Sequence, residues 1–134
     1  MSPRTMFLSR LIGLYMILVS LSMAAHKQAT VETITALVHN SPLVFVTGII
    51  AVVTGLAIVL GHNVWSGGAL PVIVTLVGWV TLFKGALLLI LSPEAESRFF
   101  FAGLHYDQLF YVYLAIDLLL GVYLTYAGFR STAR

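Results

Sequence analysis

The sequence predicts an all-α integral membrane protein built as a bundle of four transmembrane helices. Of its 134 residues, 60% are hydrophobic and 9% are charged, whereas charged residues make up about a quarter of a typical soluble domain. The apolar residues form four separate stretches, each close to the roughly 20 residues that a helix needs to cross a bilayer. Little is left over for a soluble part, so we predict a single transmembrane domain over residues 1–134.

The predicted spans cover residues 7–25, 42–60, 71–91 and 109–129. Pro42 and Pro71 are expected to begin the second and third spans, because proline lacks the N–H group that a first helical turn leaves unpaired. Ser41 is the expected N-cap of the second span, since a serine hydroxyl accepts a hydrogen bond from a free amide of the first turn.

The first span has a second interpretation as a cleavable signal peptide. Arg4 and Arg10 precede a short apolar run, and residues 22–24 resemble a small-residue cleavage site. Its length and its counterpart in the second half of the chain favour a retained span. Both interpretations leave the other three spans with the same orientation.

The charges predict how the spans are oriented. Arginines concentrate at the two chain ends, and acids concentrate in the loops after the first and third spans. The arginines are Arg4, Arg10, Arg130 and Arg134, and the acids are Glu32, Glu94, Glu96 and Asp107. The positive-inside rule then predicts that both termini are cytoplasmic. Gly67-Gly68 marks a tight turn on the same side, so we predict two antiparallel transmembrane hairpins.

Two short interfacial helices are predicted on the outer side. Residues 29–40 place Val31, Ile34 and Val38 on one side of a helix, the pattern of a helix that lies in the membrane interface. Ser92 precedes a proline and two acids, which is typical of a helix start.

Small residues recur at helical spacing and predict close packing between helices. These residues are Gly13, Ser20, Gly48, Ala51, Gly55, Gly78, Gly85 and Gly121. Parts of the chain also repeat at nearly the same sequence offset. Residues 11–13 match residues 76–78 at an offset of 65, and Gly55 matches Gly121 at an offset of 66. This favours an internal duplication with halves at 7–62 and 71–130. A chance likeness between apolar helices is the alternative.

Lys84 and Asp117 are the most informative residues for function, because an intramembrane charge costs roughly 2.5–3.5 kcal/mol on insertion scales. Both are predicted about 12–14 Å below the outer surface, at the 1.5 Å rise of a helix. They are expected to form a buried ion pair. The alternative is a proton or substrate site, since burial shifts the pKa of such groups.

The histidines and the short loops give little support to bound cofactors. The chain has no cysteine, and the four histidines are predicted near the two surfaces, so we expect no metal and no cofactor. An outer metal site that uses His26, His39 or His105 with Glu32 or Asp107 is the alternative. No basic run that would follow a nucleic acid backbone is present, and no recognised enzyme motif appears.

The stretch around His62, Asn63 and Trp65, a candidate inner-turn motif, resembles small four-helix bacterial inner-membrane proteins of unknown function, together with Gly78-Trp79. Arg10 with residues 11–13 is similar to the DoxX-like group of four-helix membrane proteins. These resemblances imply a multi-pass protein of the bacterial inner (plasma) membrane and imply no activity.

The leading functional hypothesis is a non-enzymatic accessory or assembly subunit, or a self-associating scaffold. Its partners would be the lipid bilayer and either further copies of the chain or other membrane subunits. The first alternative is a homo-oligomeric channel or proton-coupled small-solute transporter that uses Asp117 and Lys84. The second is a redox or lipid-handling membrane enzyme.

Overall fold

The computed structural model describes residues 1–103, 105 and 108–131, with the backbone alone at residues 93 and 100–102. Two residues named in the sequence analysis lie outside the described residues. They are Asp107, an outer-loop acid and candidate metal ligand, and Arg134, one of the arginines predicted to be cytoplasmic. The described part of the chain is entirely helical where it is regular, with six α-helices, one π-helix and no strand.

The helices follow one another along the chain with short connections. They are α1 (Pro3–Ala25), α2 (Lys27–Val38), α3 (Ser41–Gly61), α4 (Ala69–Ile90), α5 (Pro93–Ser97), a π-helix (Arg98–Gly103) and α6 (Phe110–Arg130). The four helices α1, α3, α4 and α6 have 21 to 23 residues each and are long and apolar enough to cross a membrane. They coincide with the four predicted spans to within a few residues, so the prediction of four helices that could span a membrane is confirmed, and we call these four the spanning helices.

Two predicted helix starts are wrong in detail. Asn40, not Ser41, caps α3, and its side-chain oxygen accepts the Leu43 N–H at 3.2 Å. Asn and Ser are about equally favourable N-cap residues, and α3 begins directly after the first of them, Asn40. Pro71 is the third residue of α4, because the helix begins two residues earlier, directly after Gly68 with φ of 112°.

Of two other helix starts, the one at Ser92 is as predicted, and the one of α1 lies further towards the N-terminus than predicted. Ser92 caps α5 by accepting the Ala95 N–H at 3.3 Å, with both acids in the first turn. Helix α1 begins four residues before the predicted span, because the Ser2 side chain accepts the Thr5 N–H at 3.2 Å and Pro3 occupies the first turn.

The spanning helices make two extensive contacts, α3 against α4 and α1 against α6. Helix α1 also contacts α4, and α4 contacts α6, over smaller areas. In both extensive pairs the residue numbers rise along one helix as they fall along the other. The predicted hairpins, α1 with α3 and α4 with α6, join spanning helices that follow one another along the chain. They stay a prediction, as does the four-helix bundle.

All four spanning helices contribute to one apolar core near one end of the molecule. Its buried members are Ile12, Ile58, Leu70, Val74 and Leu124. Each lies within about 14 Å, at 1.5 Å per residue, of the point where α1 and α4 begin or α3 and α6 end. We call this the terminal end. Helices α2 and α5 lie at the opposite end.

Four contacts between α1 and α6 have counterparts between α4 and α3. Each counterpart is reached by adding 65 to the residue number on α1 and subtracting 66 from the number on α6. The pairs are Arg10–Gly128 with Thr75–His62, Gly13–Thr125 with Gly78–Val59, Ile17–Gly121 with Leu82–Gly55, and Ser20–Asp117 with Gly85–Ala51. A duplication of one two-helix unit would produce this correspondence.

Candidate functional site

The most completely bonded polar site lies at the terminal end, around the imidazole of His62. This residue ends α3 and is only 2% exposed. Its Nε2 lies 2.8 Å from Thr5 Oγ1 on α1, and its Nδ1 lies 3.2 Å from Thr75 Oγ1 on α4. One side chain therefore joins three spanning helices.

Thr75 connects this site to the chain segment after α3. It is fully buried, and its hydroxyl accepts the Val64 N–H at 3.0 Å. The carbonyls of Pro71, His62 and Val64 lie 2.9–3.3 Å from the same hydroxyl, as alternative acceptors for its single proton. The hydroxyl thus fastens the loop after α3 onto the first turns of α4.

A neutral imidazole engages both of its ring nitrogens with threonine hydroxyls. Thr75 Oγ1 has a lone pair left for a proton on His62 Nδ1, which leaves Nε2 to accept the Thr5 hydroxyl proton. Thr5 Oγ1 in turn lies 2.8 Å from Ser2 Oγ. Because both ring nitrogens are engaged by protein hydroxyls, the site acts as a clasp between helices.

Asn63 and Trp65, the other two residues of the candidate inner-turn motif, lie beside this clasp. The Trp65 indole N–H donates to Asn63 Oδ1 at 2.7 Å, and the Trp79 indole N–H reaches the same oxygen at 3.5 Å. The Asn63 side-chain oxygen therefore accepts from two tryptophans, one on the loop and one on α4.

Asp117 lies in the middle part of α6 and faces α1. The Ser20 hydroxyl donates to Asp117 Oδ2 at 2.8 Å, and Ser20 is 1% exposed. The carboxylate is therefore held against the α1 backbone at the point where the two helices approach. Lys84 lies on α4 with an exposed side chain, and its predicted ion pair with Asp117 stays a prediction.

We expect Ser20 and Asp117 to be energetically coupled. In a double-mutant cycle with Ser20→Ala and Asp117→Ala, the free energy of unfolding in mixed detergent should reveal a coupling of about 0.6–1.7 kcal/mol, the range for intramembrane hydrogen bonds. A parallel cycle with Lys84→Ala and Asp117→Ala tests the predicted ion pair. Additive losses in the first cycle would contradict the hydrogen bond.

The small residues singled out in the sequence lie at the two extensive helix contacts. A Cβ added to Gly55 would lie 2.7 Å from Leu82 Cβ and closer still to the Leu82 backbone, and one added to Gly85 would lie 2.9 Å from Ala51 Cβ. Gly13 and Gly121 approach each other between α1 and α6. The remaining two, Gly48 and Gly78, lie against Leu89 and Ile58. All these contacts are within the chain.

Glu96 is a buried acid at the opposite end of the molecule. It is 1% exposed, and within the described residues neither carboxylate oxygen has a hydrogen-bond partner. Burial penalises the charged form and raises the pKa of this carboxyl above its ordinary value of 4.5. Helix α5 packs against α2 and the π-helix, which carry the charged residues Lys27, Glu32 and Arg98.

This raised pKa makes the packing of α5 depend on pH. The folded state holds the Glu96 proton more tightly than the unfolded state, so the stabilisation is complete below pH 4.5 and is lost as pH rises through the folded-state pKa. Amide hydrogen exchange in α2 and α5 should therefore accelerate with pH beyond its intrinsic pH dependence, and Glu96→Gln should remove that excess. Glu94→Gln, at an exposed position of the same helix, is the control; the same flattening there would contradict the assignment.

Two residues of the His62 clasp gave only weak signals in the sequence. A threonine in a helix usually bonds the carbonyl one turn back, and Thr75 does approach Pro71 in this way, as Thr81 does with Val77. Thr5 lies outside the predicted first span. The repeat offsets of 65 and 66 relate the Thr75–His62 contact to the Arg10–Gly128 contact, so knowledge of either contact would have predicted the other.

Comparison with known proteins adds no relative. No family of known proteins matches the chain, and neither a curated protein nor a solved structure is significantly similar to it.

Proposed function

We propose that this chain is a non-enzymatic multi-pass membrane protein that serves as an accessory or assembly subunit, or as a self-associating scaffold. In this proposal it is an inner-membrane protein with both termini in the cytoplasm, and its four spanning helices form one bundle.

The observation that carries the proposal is the pairing of polar side chains across helix contacts. Ser20 bonds Asp117 between α1 and α6, and His62 bonds Thr5 and Thr75 between three helices. Each polar group inside a membrane is costly unless it is satisfied. Groups that bond one another stabilise a fixed helix arrangement, as a scaffold requires.

Partner helices would bind to faces other than the glycine-rich ones, because those glycines already pack within the chain. Helix α3 offers a suitable face. Its exposed aliphatic residues recur every three or four positions, at Leu43, Val46, Ile50, Val53, Ala57 and Leu60. This spacing keeps them on one side of the helix.

Native mass spectrometry after gentle solubilisation tests the proposal. We expect the chain as a homo-oligomer or with another membrane subunit. Ile50→Trp on α3 should weaken that assembly, whereas Ile116→Trp, at a comparably exposed position of α6, should leave it unchanged. A chain that appears only as a monomer would contradict the proposal.

We also propose that the two halves, 7–62 and 71–130, derive from one duplicated unit. The four corresponding contacts between the helix pairs support this idea, and one of them keeps its bonding pattern: Arg10 Nε donates to the Gly128 carbonyl at 3.1 Å, and Thr75 Oγ1 lies 3.3 Å from the His62 carbonyl. Each half would then need the other to cover its first helix. The two halves of such a scaffold would share one helix arrangement but differ in their polar side chains, since the Ser20–Asp117 contact corresponds to Gly85–Ala51.

A further inference from the structure

An open groove lies at the terminal end, between the first turns of α1 and the last turn of α3. It has a volume of about 380 Å³ and is lined by Pro3, Arg4, Phe7, Leu8, Ala57 and Gly61. Helix α1 meets α3 here through the Thr5–His62 hydrogen bond of 2.8 Å. The groove is therefore bordered by a fixed contact between its two helices.

Its walls are apolar and open to the surroundings of the protein. Phe7 is 63% exposed, and Leu60, next to the groove on α3, is 81% exposed. A Cβ added to Gly61 would meet nothing within 4 Å. In a membrane, an open apolar groove of this kind faces lipid.

The groove combines this apolar wall with a positively charged side chain. Arg4 lines it and is exposed. No acid occurs in residues 1–31, 33–93 or 118–134, which include every segment of the terminal end. A guanidinium there pairs with a phosphate through parallel N–H bonds, and no acidic side chain of those segments competes for it.

We infer that this groove binds one anionic phospholipid. Its phosphate lies at Arg4, and one acyl chain lies along Phe7, Leu8 and Ala57. An amphiphile fits better than a free anion because five of the six lining residues are apolar. The net negative headgroup distinguishes it from a zwitterionic lipid, which brings its own cation to the phosphate. This inference does not depend on the scaffold function.

The test is native mass spectrometry of the full chain in detergent, titrated with phosphatidylglycerol or with phosphatidylcholine of the same acyl chains. We expect a preference for phosphatidylglycerol of about fivefold, which corresponds to roughly 1 kcal/mol for one basic residue at a membrane surface. Arg4→Gln should remove that preference. Arg130→Gln is the matched control, because this arginine also lies at the terminal end, where it donates to the Tyr126 hydroxyl at 3.2 Å.

A second variant tests the groove itself. Gly61→Leu places a side chain into open space, so it should fold, keep the charge and lower the binding of both lipids several-fold. Equal preferences in Arg4→Gln and Arg130→Gln would overturn the role of Arg4. Unchanged binding in Gly61→Leu would mean that surface charge alone attracts the lipid. If inorganic phosphate alone displaces phosphatidylglycerol, the ligand is a free anion, and this result would overturn the proposal of a lipid.

Discussion

Replacing Gly55 by alanine is expected to lower the free energy of unfolding by about 3 kcal/mol, at the upper end of the usual cost of overpacking. A Cβ at this position would overlap the backbone of Leu82 on α4. Backbone atoms cannot turn aside as the end of a flexible side chain does, so the two helices would have to separate. The loss is measured by thermal or denaturant unfolding in detergent.

Gly61→Ala is the matched control, because it changes the same residue type in the same helix, at a position where a Cβ meets nothing within 4 Å. It should leave the unfolding midpoint unchanged. A similar loss in both variants would mean that contact with Leu82 is not the cause of the loss, and would contradict the close packing of α3 on α4, since a glycine to alanine change in the unfolded chain favours folding.

His62→Ala should destabilise the protein by about 2–3 kcal/mol, because it leaves two threonine hydroxyls with fewer partners and opens a cavity among three helices. Thr5 and Thr75 lose the hydrogen bonds of 2.8 and 3.2 Å that join them through the ring. His39→Ala is the control, since this exposed ring bonds the carbonyl of Thr35 one turn back in its own helix segment. Equal stability of the two variants would contradict a clasp at His62.

The four spanning helices could be predicted from the sequence because apolar length alone identifies them. Helix starts were less certain where two capping residues adjoin, as Asn40 and Ser41 do. The choice of partner for each helix was not predictable from apolarity, because every span is apolar on most of its surface. The pairing of α1 with α6 instead follows from small residues and from polar contacts such as Ser20 with Asp117 and Arg10 with Gly128.

The candidate site was predictable only in part. His62, Asn63 and Trp65 were recognised as a group, but an isolated histidine at a helix end is usually interfacial. Its burial depends on Thr5 and Thr75, which approach it from helices far apart in the sequence. A threonine hydroxyl bonds a local carbonyl or a distant side chain equally well, so composition and spacing do not distinguish the two.

The pairing of α1 with α6 is the central claim, and a disulfide tests it most directly because the natural chain has no cysteine. A Cβ on Gly128 would lie 3.0 Å from Ser9 Cβ, near the separation of about 3.8 Å in a disulfide. We expect Ser9→Cys with Gly128→Cys to form an intramolecular bond in membranes, so that the denatured chain takes up no maleimide until it is reduced. Each single variant should take up one maleimide. Two reactive thiols in the double variant after oxidation would contradict the pairing and the scaffold built on it.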